Sequence, residues 1–370
     1  MIRLAFRNLF QNKARLVISV GGVALALLLI LSLDAIFTGV ERQITAYIEY
    51  SGADIWVSQA DVRNMHMASS SLPDSIARKV KYVPGVASVT PILYLTNNVV
   101  AGDERSLAYI IGLPENAEFG GPWSISSGSS LPGEGETIIN RNVAEKSGIA
   151  LDDEVEILGK KFEVTGFSEG TSSLVNSVAF ISMDDFEEMR GSYNTVSFLL
   201  VKVSDGESPK AVAARIQAQV RDITAQTRND FAMQERQVVK DMSTDVITIM
   251  NLIGFLIGLA VMALTVYTST LSRRREYGML KALGARNTDL YLTVLAQAIL
   301  SVILGFLFGL ALTLLLTVVI PIFGSNLALE VSRISLLKVG SVSLVIATIS
   351  AMIPIRQIAG LDPAMVFRGR

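Results

Sequence analysis

The chain has 370 residues, a mean hydropathy of +0.46 and only 18% charged residues, against roughly 25% in soluble domains. That composition excludes an ordinary soluble globular protein and reads as a membrane protein. Cysteine is absent, which excludes a disulfide framework and a cysteine metal site and leaves the compartment open.

In chain order, Ile2, Phe6, Leu9 and Phe10 fall on one helical face and Arg3 and Arg7 on another. Residues 1–15 therefore read either as a cytoplasmic amphipathic helix lying in the inner leaflet or as a plain basic flank. Leu16 to Leu33 is uncharged for 18 residues, enough for a transmembrane helix. The run is longer than a signal-peptide core and no small-x-small site follows closely, so it is expected to be an uncleaved anchor with its N-terminus inside. Asp34 is either an intramembrane functional residue or the mark of the membrane exit. No proline interrupts residues 16–50, and a helix of that length would extend about 52 Å at 1.5 Å per residue, beyond a hydrocarbon core of about 30 Å. The excess predicts a stalk outside the membrane.

Residues 51–227 read as a soluble α+β domain. Strands are expected at Ile55 to Val57, Ala87 to Val100, Leu107 to Ile111, Val155 to Leu158, Phe162 to Gly166, Val178 to Ile181 and Val196 to Val203, from alternation and β-branched content. Helices are expected over 75–83 and 209–220, the second with Ser208 as N-cap and Pro209 at its first position. A stretch rich in Gly, Ser and Pro from Pro114 to Gly135 marks entry into an inserted lobe (114–191), with a split lobe formed by 52–113 and 192–225. Within the first flank, His66 lies between Met65 and Met67. An imidazole beside thioethers is a candidate soft-metal or haem ligand, and a polar loop that happens to hold two methionines explains the same letters.

A second long helix with stalk and span is expected over 228–272, a third span over 290–320 ended by Pro321, a short external loop over 321–335, a fourth span over 336–355, and a cytoplasmic tail over 356–370. Gly254 and Gly258 form a small-xxx-small pair that permits close helix approach in lipid, a candidate seam between two copies. Between the second and third spans, residues 273–289 carry Arg273, Arg274, Arg275, Lys281 and Arg286 against Glu276 and Asp289. A short basic loop stays cytoplasmic. Glu276, Met279, Leu280 and Leu283 recur at helical spacing, so the loop predicts a short amphipathic helix ended by Gly284. On this four-span plan with both ends cytoplasmic, the cytoplasmic pieces hold 12 of 32 basic and 3 of 34 acidic residues. That leaves +9 inside and −11 elsewhere, as the positive-inside rule requires, and the acidic remainder argues against nucleic acid as a partner.

No Gly-x-x-x-x-Gly-Lys-Ser/Thr loop occurs, so ATP has no phosphate cradle of that kind. With a single histidine, no Ser-His-Asp arrangement can be assembled, and a non-catalytic subunit is expected.

The run Arg273, Glu276, Gly278, Leu280, Ala282, Gly284 and Ala285 resembles the cytoplasmic coupling loop of MacB/FtsX-type ABC permeases, also called type VII ABC transporters. Residues 135–155 are similar to the start of the lobe inserted in MacB-like periplasmic domains, and Asp362, Pro363 and Ala364 to the family's tail. The resemblance covers essentially the whole chain. It implies an integral membrane α-helical protein with four transmembrane helices and a large extracytoplasmic α+β domain between helices 1 and 2. It further implies that a separate ABC ATPase binds ATP and Mg2+, with no cofactor in this chain. Arg273, Arg274, Arg275, Glu276, Gly278, Leu280, Gly284 and Ala285 would contact that ATPase. The permease is expected to form a homodimer in the plasma membrane bilayer, sometimes with a membrane-fusion protein. Mechanotransmission would drive export of a lipid, haem, drug or peptide. The alternative is an FtsX-like signalling permease that activates cell-wall hydrolases.

Overall fold

The computed structural model describes residues 13–66, 68–102, 104–171, 177–322 and 327–360. Residues 1–12 of the in-plane helix expected over 1–15, Met67 and the tail beyond residue 360 lie outside the described residues. The first elements are α1 (Lys13–Tyr50), β1 (Ile55–Gln59), β2 (Leu72–Pro73), α2 (Ser75–Lys81), β3 (Val86–Ala101) and β4 (Glu104–Leu113). There follow β5 (Ile125–Gly128), β6 (Glu136–Asn140), α3 (Arg141–Ser147), β7 (Glu154–Ile157), β8 (Lys160–Ser168) and β9 (Ser177–Ser182). Then come α4 (Met183–Arg190), β10 (Thr195–Val196), β11 (Phe198–Val203), α5 (Pro209–Gln219) and β12 (Ile223–Thr227). The chain closes with α6 (Arg228–Ser272), α7 (Arg274–Ala282), α8 (Asn287–Ile322) and α9 (Arg333–Ala359). The chain divides into two compact units, the described parts of 1–39, 243–323 and 329–370 forming one, and of 40–242 and 324–328 the other.

In the helical unit, α1, α6, α8 and α9 are each long and apolar enough to cross a membrane. At 38 and 45 residues, α1 and α6 extend about 57 and 68 Å at 1.5 Å per residue. The third helix runs to Ile322 and the fourth from Arg333 to Ala359. Both overrun the expected bounds, and Pro354 lies within the last helix without ending it. Val23, Leu27, Ile30 and Leu31 of α1 join one core cluster with Met262, Val266, Val302, Val339 and Ile346. Glycines permit the approach. A methyl at Gly254 would stand 2.6 Å from Ile30 Cγ1, and one at Gly309 would stand 2.9 Å from the Ala24 carbonyl oxygen. Gly258, next on the Gly254 face, lies against Ala26 and Ile346. Gly254 and Gly258, expected at a seam between copies, thus face the chain's own first helix, where close backbone approach replaces hydrophobic drive in lipid.

The second unit is built on a ten-stranded sheet ordered β12-β1-β11-β3-β4-β9-β6-β8-β5, with β7 added against β3 and β8, and a separate β10–β2 pair. Strand β3 joins its halves. Residues 86–92 pair antiparallel with β11, and residues 93–101 pair antiparallel with β4. The inserted segment then attaches through parallel pairing of β4 with β9, so both expected lobes share one sheet. The run expected as one strand over 196–203 is broken into β10 and β11. Ser208 sits at the N-cap of α5 but makes no side-chain cap bond. Asn140 and Ser182 do cap α3 and α4, accepting from the amides of Asn142 and Asp185, which satisfies donors that the first turn leaves open. Tyr47, Ile48, Trp56, Phe198, Phe231 and Ala232 share one buried cluster. The Trp56 ring stacks on Phe231 at 5.0 Å and meets Tyr47 edge-on at 5.9 Å. The end of α1 and the start of α6 are therefore embedded in this unit's core, each large side chain contributing about 2 kcal/mol by burial.

Candidate functional site

The basic loop between the second and third spans folds as α7. Its Ramachandran exit explains its length. Gly284 adopts φ +93°, a conformation that side chains resist. The Gly284 amide donates to the Lys281 carbonyl at 3.0 Å, and the Ala285 amide to the Leu280 carbonyl at 2.9 Å. This paired pattern is the Schellman motif, which satisfies the last helical carbonyls. Leu280 and Ala285 both pack on the spanning core, as the motif's hydrophobic contact requires.

One face of α7 turns inward. Arg273, Tyr277 and Gly278 are buried, and Arg273 stands 3.5 Å from Glu276. Burial pushes the Tyr277 phenol up, the Arg273 charge drawing it back and Glu276 adding to the rise; its hydroxyl meets no partner among the described residues. Lys281 Nζ donates to the carbonyls of Ile358 at 3.0 Å and Ala359 at 3.1 Å. These are the terminal acceptors of α9, where helix geometry leaves carbonyls open and favours a cation. A groove of about 260 Å3, lined by Tyr267, Thr270, Leu271, Arg274, Gln357 and Ile358, adjoins this contact.

The other face points away. Arg274, Arg275, Glu276, Met279, Leu283 and Gly284 are exposed, Leu283 to 85%. Of the residues expected to contact an ATPase, Arg274, Arg275, Glu276 and Gly284 lie on the open face. Arg273 and Gly278 are buried, and Leu280 and Ala285 are half-buried on the core side. The expected amphipathic face therefore divides. Glu276, Met279 and Leu283 form the outward stripe, and Leu280 belongs to the inward one. Tyr277 and Lys281 were missed as anchors. Their signal was the four-residue spacing Arg273–Tyr277–Lys281, which places all three on one helical face.

His66 has a different setting. Its Nδ1 pairs with Glu235 Oε1, and the Met65 amide donates to Glu235 Oε2 at 2.7 Å. Glu235 is fully buried in α6 and Met65 nearly so. The His66 ring lies edge-on to Tyr109 at 4.4 Å, and its Nε2 is buried without a partner among the described residues. No group of three His, Asp or Glu side chains able to hold a metal occurs among the described residues. The structure thus gives His66 a carboxylate partner in Glu235. That contact fastens the loop after β1 to the start of α6.

Residues 16–219 match the family model of the MacB-like periplasmic core domain, and residues 248–363 that of the FtsX-like permease C-terminal domain. An uncharacterized ABC transporter permease of Methanocaldococcus jannaschii is 24% identical over 401 aligned residues, covering 100% of this chain and 98% of that one. An uncharacterized ABC transporter permease of Mycobacterium tuberculosis is 20% identical over 373 residues, covering 100% of both chains. The solved periplasmic region of MacB from Actinobacillus actinomycetemcomitans aligns with 50% of this chain and 93% of its own, at 14% identity and a TM-score of 0.39. With four spanning helices, an extracytoplasmic domain between the first two and two family models that together cover most of its length, the chain belongs to the MacB/FtsX family of ABC transporter permeases, multi-pass proteins of the plasma membrane.

Proposed function

We propose that the chain is the membrane subunit of an exporter in which a partner ATPase grips the outward stripe of α7 and drives a mechanical stroke. The observation that carries this is the two-faced character of α7. Tyr277 and Lys281 fasten it to the spanning helices, while Glu276, Met279 and Leu283 are left on an open surface beside Arg274. An apolar centre with a charged rim is the general anatomy of a protein interface. Two copies of the permease would act together, each with its own ATPase. Helices α1 and α6 contribute residues to both compact units and would carry the stroke outward to an amphipathic cargo of the outer leaflet or periplasm.

The test is co-purification with the ATPase. Leu283→Asp and Glu276→Lys should each weaken the complex about 10- to 30-fold, the loss of roughly 1.4–2 kcal/mol, with membrane insertion unchanged. Full complex yield and full transport in both variants would return α7 to a topology anchor.

A further inference from the structure

We infer that the helical unit holds an outer-leaflet phospholipid with a primary ammonium headgroup, in a cavity formed by α1, α6 and α9. This goes beyond the transport reading, because the lipid would be bound whether or not it is moved. The cavity has a volume of about 300 Å3 and is lined by Ile30, Asp34, Asn251, Leu252, Phe255, Lys338, Val339 and Val342, at the small end of ligand pockets. Its depth follows from the sequence. Asp34 ends the 18-residue uncharged run that begins at Leu16, about 27 Å along the helix, close to the full hydrocarbon thickness. Asp34 lies on the side of the first span that leads to the extracytoplasmic domain, so the polar end of the cavity sits at headgroup level.

The lining selects the ligand. Ile30, Leu252, Phe255, Val339 and Val342 make an apolar wall suited to acyl chain. Two groups at the polar end are acceptors: the Asp34 carboxylate, 15% exposed, and the Asn251 amide oxygen, buried without a partner among the described residues. An unmet buried acceptor costs about 1–3 kcal/mol and calls for a donor. Lys338 Nζ lies 3.5 Å from Asp34, but its side chain is 61% exposed and its long stem can turn to a second charge. Ammonium donors therefore suit Asp34 and Asn251, while the adjoining phosphate suits Lys338. A purely anionic headgroup would meet the Asp34 carboxylate. A trimethylammonium headgroup has no N–H to give Asn251. Phosphatidylethanolamine meets both conditions.

The experiment is native mass spectrometry of the full chain in detergent, with equimolar phosphatidylethanolamine, phosphatidylcholine and phosphatidylglycerol of matched acyl chains. Wild type should retain phosphatidylethanolamine about tenfold over the others, the worth of one charge-assisted hydrogen bond. Asp34→Asn, nearly the same shape without the charge, should bring that ratio close to one. Val342→Phe, which fills the cavity, should remove the retained lipid, while Leu344→Phe on the exposed face of α9 should not. Equal retention of the three lipids by wild type, or an Asp34→Asn ratio equal to that of wild type, overturns the site.

Discussion

Lys281 of α7 donates to the main-chain carbonyl of Ile358, near the C-terminus of α9, at 3.0 Å. The contact makes the short cytoplasmic helix part of the spanning bundle, and its second acceptor is Ala359 at 3.1 Å. Removing the ammonium leaves terminal carbonyls of α9 unmet. Lys281→Met, which keeps the apolar stem, should lower stability by about 1–2 kcal/mol. Lys281→Arg should retain most of it. Thermal melting of the purified permease checks this, and equal melting of Lys281→Met and wild type would show that the contact adds no stability.

A second expectation concerns Glu235. Its carboxylate receives the Met65 amide and pairs with His66, so Glu235→Ala strands two buried groups and should cost about 3 kcal/mol. Glu235→Gln should recover part of this, because an amide oxygen can still accept one bond. Denaturant unfolding followed by the fluorescence of Trp56, stacked one helical turn away on Phe231, reports the difference. Glu235→Ala as stable as wild type would mean that these hydrogen bonds contribute nothing.

The third concerns pH. Burial pushes the Asp185 carboxyl up, but hydrogen bonds from Lys160, Ser182 and the Gly135 amide, with the Lys160 charge, outweigh it and hold it below the usual carboxylate range. A carboxyl depressed in the folded state adds stability that is complete above its unfolded pKa of about 4 and is lost as pH falls through the lower folded value. Asp185→Asn should therefore be less stable than wild type at neutral pH, with the gap closing below about pH 4. A gap that stays constant down to pH 2 would show that Asp185 is not held ionised by the fold.

Much of this architecture was legible in the chain. The spanning helices announce themselves by uninterrupted apolar length. The strands near Ile55, Val178 and Phe198 show in β-branched content. Gly284 marks the end of α7 because glycine best tolerates that backbone. The hidden parts are those in which distant segments meet. Nothing local to Glu235 says that it will be buried, since its partners lie some 170 positions earlier. The parallel pairing of β4 with β9 leaves no mark on either strand. Helical spacing placed Leu280 and Leu283 on one α7 surface, but spacing does not say which way that surface turns. The bundle took Leu280 with Tyr277 and left Leu283 outside. Gly254 and Gly258 show the same limit, because a small-residue pair calls for a close neighbour without naming it.

In the proposed mechanism a stroke travels outward along α1 and α6. The stalk segments of these helices are tied to each other by the Glu49–Arg236 and Glu41–Lys240 ion pairs, so a restraint on one restrains both. The chain has no cysteine, so a single Asp241→Cys substitution on the exposed side of the stalk supplies the only disulfide chemistry. Oxidation should join two copies into a species of twice 39.9 kDa. Transport in reconstituted vesicles should then stop and recover on reduction, while ATP hydrolysis by the partner continues at least in part. Efficient crosslinking with undiminished transport, or no covalent dimer under oxidation, would contradict mechanical relay through paired stalks.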